Sequence, residues 1–554
     1  MVKNSDFVLV NVEGVKKQIK KGTSLLELAK FSQTERELNI VAARVDNKVK
    51  DLNNVLDRDC SVSFIDLSSE DGVRVYKRSL FFILAKAVQE IFPDRKLSIR
   101  HSISRGTYCE IYGRKELTVE DVKKLEDKMK EIVSLRIPLK KRVVSLQEAR
   151  DIFNKTGDYV KVQLLQYCSK DTLSIYSCGT TSNYLYGCMV PDTGYIDKFE
   201  LMYYPPGFIV RFPDKQSPKE IPPFKEDRKL FQVLAEHKKW GEILEVSNVG
   251  SLNQLIASGK ANELIHVSEA LHEKKIAYIA DEIKNNASNI KVVLISGPSS
   301  SGKTTFAHRL AIHLRVNGLK PVTISLDDYF VNRDLTPRDE DGNYDFEALE
   351  AIDIDLFNDH LLRLIHGEEV EIPIFNFHTG YREAHGRKLK LQENQIIIVE
   401  GIHGLNEKLT SAVDHKNKYK IYVSALTQLS LDNYNPISTT DTRLIRRLVR
   451  DYHFRSSSAQ KTLEMWPSVR RGEIKNIFPF QEEADIMFNS ALLYELAVLK
   501  NYALPLLESI DPSTEEYSEA RKLIDFLSYF LSISPDTVPP TSIIREFIGG
   551  SSLY

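Results

Sequence analysis

Residues 292–316 read VVLISGPSSSGKTTFAHRLAIHLRV. A β-prone run, Val292 to Ser296, enters a Gly/Ser-rich turn, and a helix-prone run from Thr305 to Val316 leaves it. The turn, Gly297-Pro298-Ser299-Ser300-Ser301-Gly302-Lys303-Thr304, is a complete G-x-x-x-x-G-K-T. Glycines let the backbone curl so that successive N–H groups point inward, and the following helix N-terminus adds positive potential. Lys303 would reach the β/γ-phosphates of a nucleotide and the Thr304 hydroxyl would ligate Mg²⁺. The expected donor-binding set is Gly297, Pro298, Ser299, Ser300, Ser301, Gly302, Lys303, Thr304 and Thr305, with ATP and Mg²⁺ as cofactors.

Outward from this stretch the alternation continues. KVVLIS (291–296), PVTISL (321–326), IIIVEG (396–401) and KIYVSA (420–425) are β-rich runs separated by helical segments. That order implies a parallel sheet with helices on both faces, whose ligands gather at the carboxyl ends of the strands. PVTISL ends in Asp327-Asp328-Tyr329. A carboxylate there, on a strand expected beside the loop strand, can face the γ-phosphate and accept a proton from an attacking hydroxyl. Glu400 ends another strand and suits Mg²⁺, so Thr304, Asp327 and Glu400 form the expected metal set. Further on, DTRLIRRLVRD carries Arg443, Arg446, Arg447 and Arg450 at offsets of three, four and seven, one helix face, with aspartates only at its ends. Arg455, Arg470 and Arg471 follow. A cationic stripe that closes over ATP neutralises the transferring group and excludes water, which points to transfer rather than hydrolysis. Lys303, Asp327, Arg450 and Arg455 are the expected catalytic residues.

The whole chain, 554 residues, is too long for one core. Lys plus Arg number 75 against 77 Asp plus Glu, so no global field draws the protein to nucleic acid or a membrane surface. Five cysteines without a C-x-x-C pair argue for reduced thiols, and neither a membrane span nor a signal peptide is evident, so a cytoplasmic protein without membrane contact is expected. The fold expected is multidomain α/β: a β-grasp module (1–68), an α+β domain (69–238), a helical bridge (239–288) and the P-loop-type domain (289–554). Ser24 with Glu27 three residues on predicts a capping box in the first module. The Pro-rich stretch from Phe212 to Phe224 reads as an extended connector.

The region from Ile290 to Asn489 resembles the uridine kinase and phosphoribulokinase group, most of all uridine–cytidine kinases, through GPSSSGKTT, SLDDYF, NYDFEAL, IPIFNFHTGYR, VEGIHGL, DTRLIRRLVRD and EEADIMFN. The resemblance implies a P-loop NTPase-type fold and ATP-dependent transfer to the 5′-hydroxyl of a nucleoside. It makes Asp327 the general base, Asp345 the ribose-binding carboxylate, and Tyr344, Phe375 and Phe377 the aromatic lining. Arg447, Arg450 and Arg455 become lid or substrate arginines, and Tyr329 and Arg382 join the substrate set. Where the family has a base-reading histidine this chain has Gly380; Phe375 stands for a tyrosine and Ser457 for a lid arginine, with His378 and Tyr381 nearby as replacements. A sugar phosphate or another small hydroxyl compound is the alternative acceptor. A nucleotide-binding regulator associated with RNA or the ribosome is the alternative outside enzymes.

Residues 1 to about 235 resemble the TGS and second additional domains of threonyl-tRNA synthetases, through GTSLLELAK, RSLFFILAKAVQEIFP, LTVEDVKKLEDKMKEI and NYLYGCMVPDTGYIDKF. The four editing positions of those enzymes fall on Arg78, Phe82, Leu185 and Met189, a poor set for zinc or proton transfer. The order of domains resembles a bacterial family of TGS-containing nucleoside or uridine kinases. An RNA or small-nucleotide ligand of the first two domains and self-association stay open.

Overall fold

In the computed structural model, residues 6–33, 36–339, 342, 344–376, 379–427 and 429–554 are described. Apolar residues two apart in Phe7–Val12 are buried, and this strand pairs antiparallel with Val15–Lys20 and parallel with Cys60–Ile65. Ala42–Val45 and Lys48–Lys50 complete the five-stranded sheet. Helix Leu25–Gln33 packs on it. Its start is the predicted box: the Ser24 N–H donates to Glu27 Oε2 at 2.9 Å and the Glu27 N–H to Ser24 Oγ at 3.2 Å.

The next unit lays helices Glu70–Ile91 and Val119–Ser134 against the four-stranded antiparallel sheet of Lys96–Ile103, Gly106–Tyr112, Glu200–Tyr204 and Gly207–Arg211. Phe82, Leu185 and Met189 lie in its apolar core, and Arg78 donates to the Cys188 carbonyl. The four synthetase-like positions are thus three packing groups and one engaged guanidinium.

Two boundaries differ from expectation. Helix Arg228–Ile243 runs through the 238/239 junction, and its Leu230, Val233 and Leu234 pack on Leu405, Tyr422 and Met487 of the last domain. The helix therefore belongs with the region that follows. In addition, Val144, Phe153, Leu164 and Ile175 share one apolar cluster with Ile276 and Ile279 of the bridge helix Ala261–Asn285 and with Ile295 and Phe306. The α+β segment has no separate core of its own in that part. The burial follows from the amphipathic helices Leu146–Lys155 and Ala261–Asn285, each of which must cover its apolar face.

In the last domain β1 (Val292–Ser296), β2 (Lys320–Ser325), β3 (Gln395–Glu400), β4 (Lys418–Ser424) and β5 (Ile486–Asn489) form one parallel sheet in the order β2-β3-β1-β4-β5. Alternate residues feed two cores: Val293 and Ile295 one, Val292 and Leu294 the other. Burial on both faces explains the uninterrupted apolar runs. Helix α1 (Lys303–Val316) follows β1, while α2 (Thr439–Phe454) and α3 (Ala459–Asn476) stand between β4 and β5. The order corrects one expectation: Asp327 follows β2, which is not the neighbour of β1, because β3 with Glu400 runs between them. Among the described residues no helix is long and apolar enough to cross a membrane.

Candidate active site

The loop between β1 and α1 is shaped by backbone sterics. A Cβ on Gly297 would stand 1.9 Å from the Val423 carbonyl oxygen, so only glycine lets the loop pass over β4. Ser300 (φ 57°) and Gly302 (φ 84°) are both left-handed, which turns consecutive N–H groups toward a common centre. Ser300 takes this conformation without glycine's freedom, a local strain held by its surroundings. Lys303 folds back and donates to the carbonyls of Gly297 at 2.9 Å and Pro298 at 3.2 Å.

The arginine helix does not lie as a lid. Arg443 and Arg446 are fully buried and brace the outer wall of the loop. Arg443 donates to the Ser299 carbonyl at 2.9 Å and pairs with Glu473; Arg446 donates to the Ser490 carbonyl at 2.9 Å and pairs with Glu495. Glu473 also accepts the Ser299 N–H at 3.0 Å and pairs with Arg470. Arg447 reaches the Ser299 hydroxyl at 2.7 Å and Asp451 at 3.0 Å. Arg450 (3.3 Å) and the half-exposed Arg455 (3.8 Å) gather on the same Asp451. The stripe therefore divides: its inner arginines hold the loop, its outer two face the cleft.

Asp327 is exposed at the rim of the cleft, and crowding by the surrounding protein raises its pKa by partial desolvation, against the attraction of Lys303, Arg455 and Arg450. Four expected catalytic groups are thus brought into one field. Arg455 is held down to about 10, chiefly by the neighbouring Arg450 charge. Burial lowers Lys303 against the pull of Glu400, Glu546 and Asp327. Burial raises Glu400 to about 7; Lys303 opposes the shift, while Asp327 and Glu546 add to it. Thr304 Oγ1 donates to Glu400 at 3.4 Å. Hard oxygen donors beside an ammonium fit Mg²⁺, which binds through one or two carboxylates plus substrate phosphate rather than a protein cage. No group of three or more His, Cys, Asp or Glu that could hold a metal ion occurs among the described residues.

The other expected donor-site and substrate residues have these surroundings. Tyr329 is fully buried, its hydroxyl bonded to His360 Nδ1 at 3.1 Å, so it belongs to the core beneath β2. Arg382 spends its guanidinium on Asp353 and the carbonyls of Phe330 and Tyr329 and pins a loop. Thr305 gives its N–H and hydroxyl to Glu546. Tyr344 stacks near Phe346 and under Arg338, Phe375 packs on Phe330, and Tyr381 is exposed. The Asp345 carboxylate accepts the Glu347 N–H at 3.2 Å. Phe377 and His378 lie outside the described residues. At Gly380 a Cβ would stand 2.5 Å from the Arg333 Nε, so a guanidinium occupies the space a side chain there would need.

Sequence reading missed Asp451, Glu473, Glu347 and Arg333. Asp451 was findable, being four residues from both Arg447 and Arg455. Glu347 carries a buried Oε2 without a partner and feels Arg447, Lys303 and Asp327. Glu473 stands three residues from Arg470 on one helix, whereas its contact with Arg443 and the place of Arg333 come only from the fold.

Residues 292–495 match the Phosphoribulokinase / Uridine kinase family. The N-terminal half matches threonine–tRNA ligases: one from Bacillus subtilis (strain 168) is 31% identical over 200 residues, 36% of this chain and 31% of the ligase. Another from Bacillus velezensis is 30% identical over 200 residues, again 36% of this chain and 31% of the ligase. The chain therefore spans about a third of the length of these curated relatives. A solved structure described as a "Possible Uridine Kinase" from Bacillus stearothermophilus is 20% identical, covers 38% of this chain and 97% of its own, and superposes with a TM-score of 0.23. The loop, Asp327, Glu400 and the arginine helix all lie within the residues that match the Phosphoribulokinase / Uridine kinase family.

Proposed function

We propose that the protein transfers the γ-phosphoryl group of ATP to the 5′-hydroxyl of a nucleoside. The observation that carries this reading is the convergence of Lys303, Asp327, Arg450 and Arg455 at the carboxyl ends of β1 and β2. ATP supplies the phosphoryl group and a leaving group when bound, and Thr304, Glu400 and Asp327 are the residues that would hold Mg²⁺, which would offset charge on the phosphates. Asp327 accepts the proton of the attacking hydroxyl, and its raised pKa makes it a better base than a solvated aspartate. Lys303 leaves its loop carbonyls to meet phosphate, and Arg450 and Arg455 neutralise charge on the moving group. The acceptor oxygen gains the γ-phosphorus, ADP departs with the bridging oxygen, and the proton rests on Asp327.

A second acceptor is favoured by one observation. Arg333 over Gly380 puts a guanidinium where the resembling kinases hold a histidine, and guanidinium pairs well with phosphate. A sugar phosphate is the second reading. The test is to incubate the protein with ATP, Mg²⁺ and parallel panels of nucleosides and phosphorylated sugars, following ADP release and product mass. Nucleoside monophosphate supports the first reading and a bisphosphate product the second. ADP formation that no acceptor stimulates would remove both.

A further inference from the structure

The sequence IIREFIGGSSLY (543–554) found no role in the reading above, yet it lies against the phosphate loop. Glu546 Oε2 accepts the Thr305 N–H at 3.0 Å and the Thr305 hydroxyl at 2.9 Å. The Tyr554 hydroxyl stands 3.3 Å from Thr305 Oγ1, and its ring lies 5.4 Å from that of His308 on α1. Ile543 Cγ2 comes within 2.6 Å of where a Cβ on Gly302 would be. Ile543, Ile544 and Phe547 are fully buried and anchor the segment, with the Arg446 guanidinium 5.0 Å from the Phe547 ring. Gly549 (φ 86°) and Gly550 (φ 73°), both at positive φ, follow the anchor before Ser551–Tyr554.

The N–H groups of this loop and the first turn of its helix are the donors that cradle the α- and β-phosphates of a nucleotide. A carboxylate at the same helix N-terminus satisfies the same amide and dipole that an anionic phosphate would. One N–H does not serve two anions, and two negative groups in one seat repel. Glu546, seated on Thr305, also lies near enough to Lys303 and Glu400 to add to the charge each feels.

We propose that segment 543–554 is an autoinhibitory strap: the Glu546 carboxylate occupies the α-phosphate seat, and nucleotide binding requires that side chain to turn off Thr305 and residues 549–554, with Tyr554, to leave α1, while Ile543, Ile544 and Phe547 stay anchored. The proposal rests on the loop being an ATP site. The protein without nucleotide is held closed, and its apparent affinity is reduced by the fraction of molecules in which the seat is free.

The experiment uses the full chain. ATP with Mg²⁺ is titrated calorimetrically into wild type, Glu546→Gln and Glu546→Ala, and amide exchange of peptides covering 543–554 is followed in the wild type with and without saturating ATP. Both variants are expected to bind on the order of tenfold tighter, because a charge-assisted bond holding the closed state is gone. Exchange over 549–554 is expected to rise when ATP is added. Equal or weaker binding by both variants, with exchange over 549–554 unchanged or slowed in the wild type, would overturn the strap while leaving the ATP site standing. Absence of ATP binding by all three proteins would overturn both.

Discussion

Glu400 offers the sharpest perturbation. Burial at the end of β3 raises it from 4.5 to about 7, against the attraction of Lys303. Between those two values the folded protein keeps a proton that the unfolded chain has already released, so stability falls as pH rises through that window. A shift of about 2.5 units at ~1.4 kcal/mol each is about 3.5 kcal/mol, of which partial solvent screening leaves about 2 to 3 kcal/mol as the cost to the folded state once pH exceeds 7. Glu400→Gln keeps the size and removes the charge. The variant should match wild type near pH 4.5 and exceed it by about 2 to 3 kcal/mol at pH 8. Urea unfolding of both proteins at half-unit pH steps measures this difference, with equal slopes required for the comparison. Adding Mg²⁺ and ATP at pH 8 should stabilise wild type more than the variant, because the ionised carboxylate gains its ligand only in wild type. A difference that stays within about 0.5 kcal/mol from pH 5 to pH 8 would refute the argument that Glu400 is desolvated and charged at a cost.

Other outcomes follow from the same geometry. Asp327→Asn should lower kcat by about 10²- to 10⁴-fold with ATP affinity little changed, read by steady-state kinetics beside nucleotide titration. Glu473→Ala leaves the buried Arg443 without its carboxylate and should cost about 3 to 5 kcal/mol in chemical unfolding. Replacing Glu473 and Arg443 together by Met should recover much of that loss. Tyr329→Phe should cost about 1 kcal/mol of stability and leave the acceptor KM unchanged, since the hydroxyl meets His360 and not the cleft.

What the sequence showed and what it hid divide along physical lines. The parallel sheet was legible because strands buried on both faces carry unbroken apolar runs, as in IIIVEG and KIYVSA. The loop was legible because its chemistry demands adjacent residues in fixed order. The strand order was not, since nothing local records that β3 runs between β1 and β2. The arginine stripe misled for a similar reason: spacing places four guanidinium groups on one face but does not say what that face meets. Arg443 and Arg446 meet Glu473 and Glu495, 30 and 49 residues away. Tyr329 was assigned to substrate from its place in SLDDYF, whereas a buried partner, His360, decides its role.

The apolar cluster that joins Val144, Phe153 and Leu164 to the bridge helix and to Phe306 has a consequence for how the molecule works as a machine. Cut after residue 238, the half that carries the phosphate loop would expose a broad apolar face and should precipitate or need detergent. The two halves are welded rather than tethered, so an event felt by the tRNA-ligase-like half has a stiff route to the helix that carries Lys303. Selection acting on either half must keep that shared interior solid.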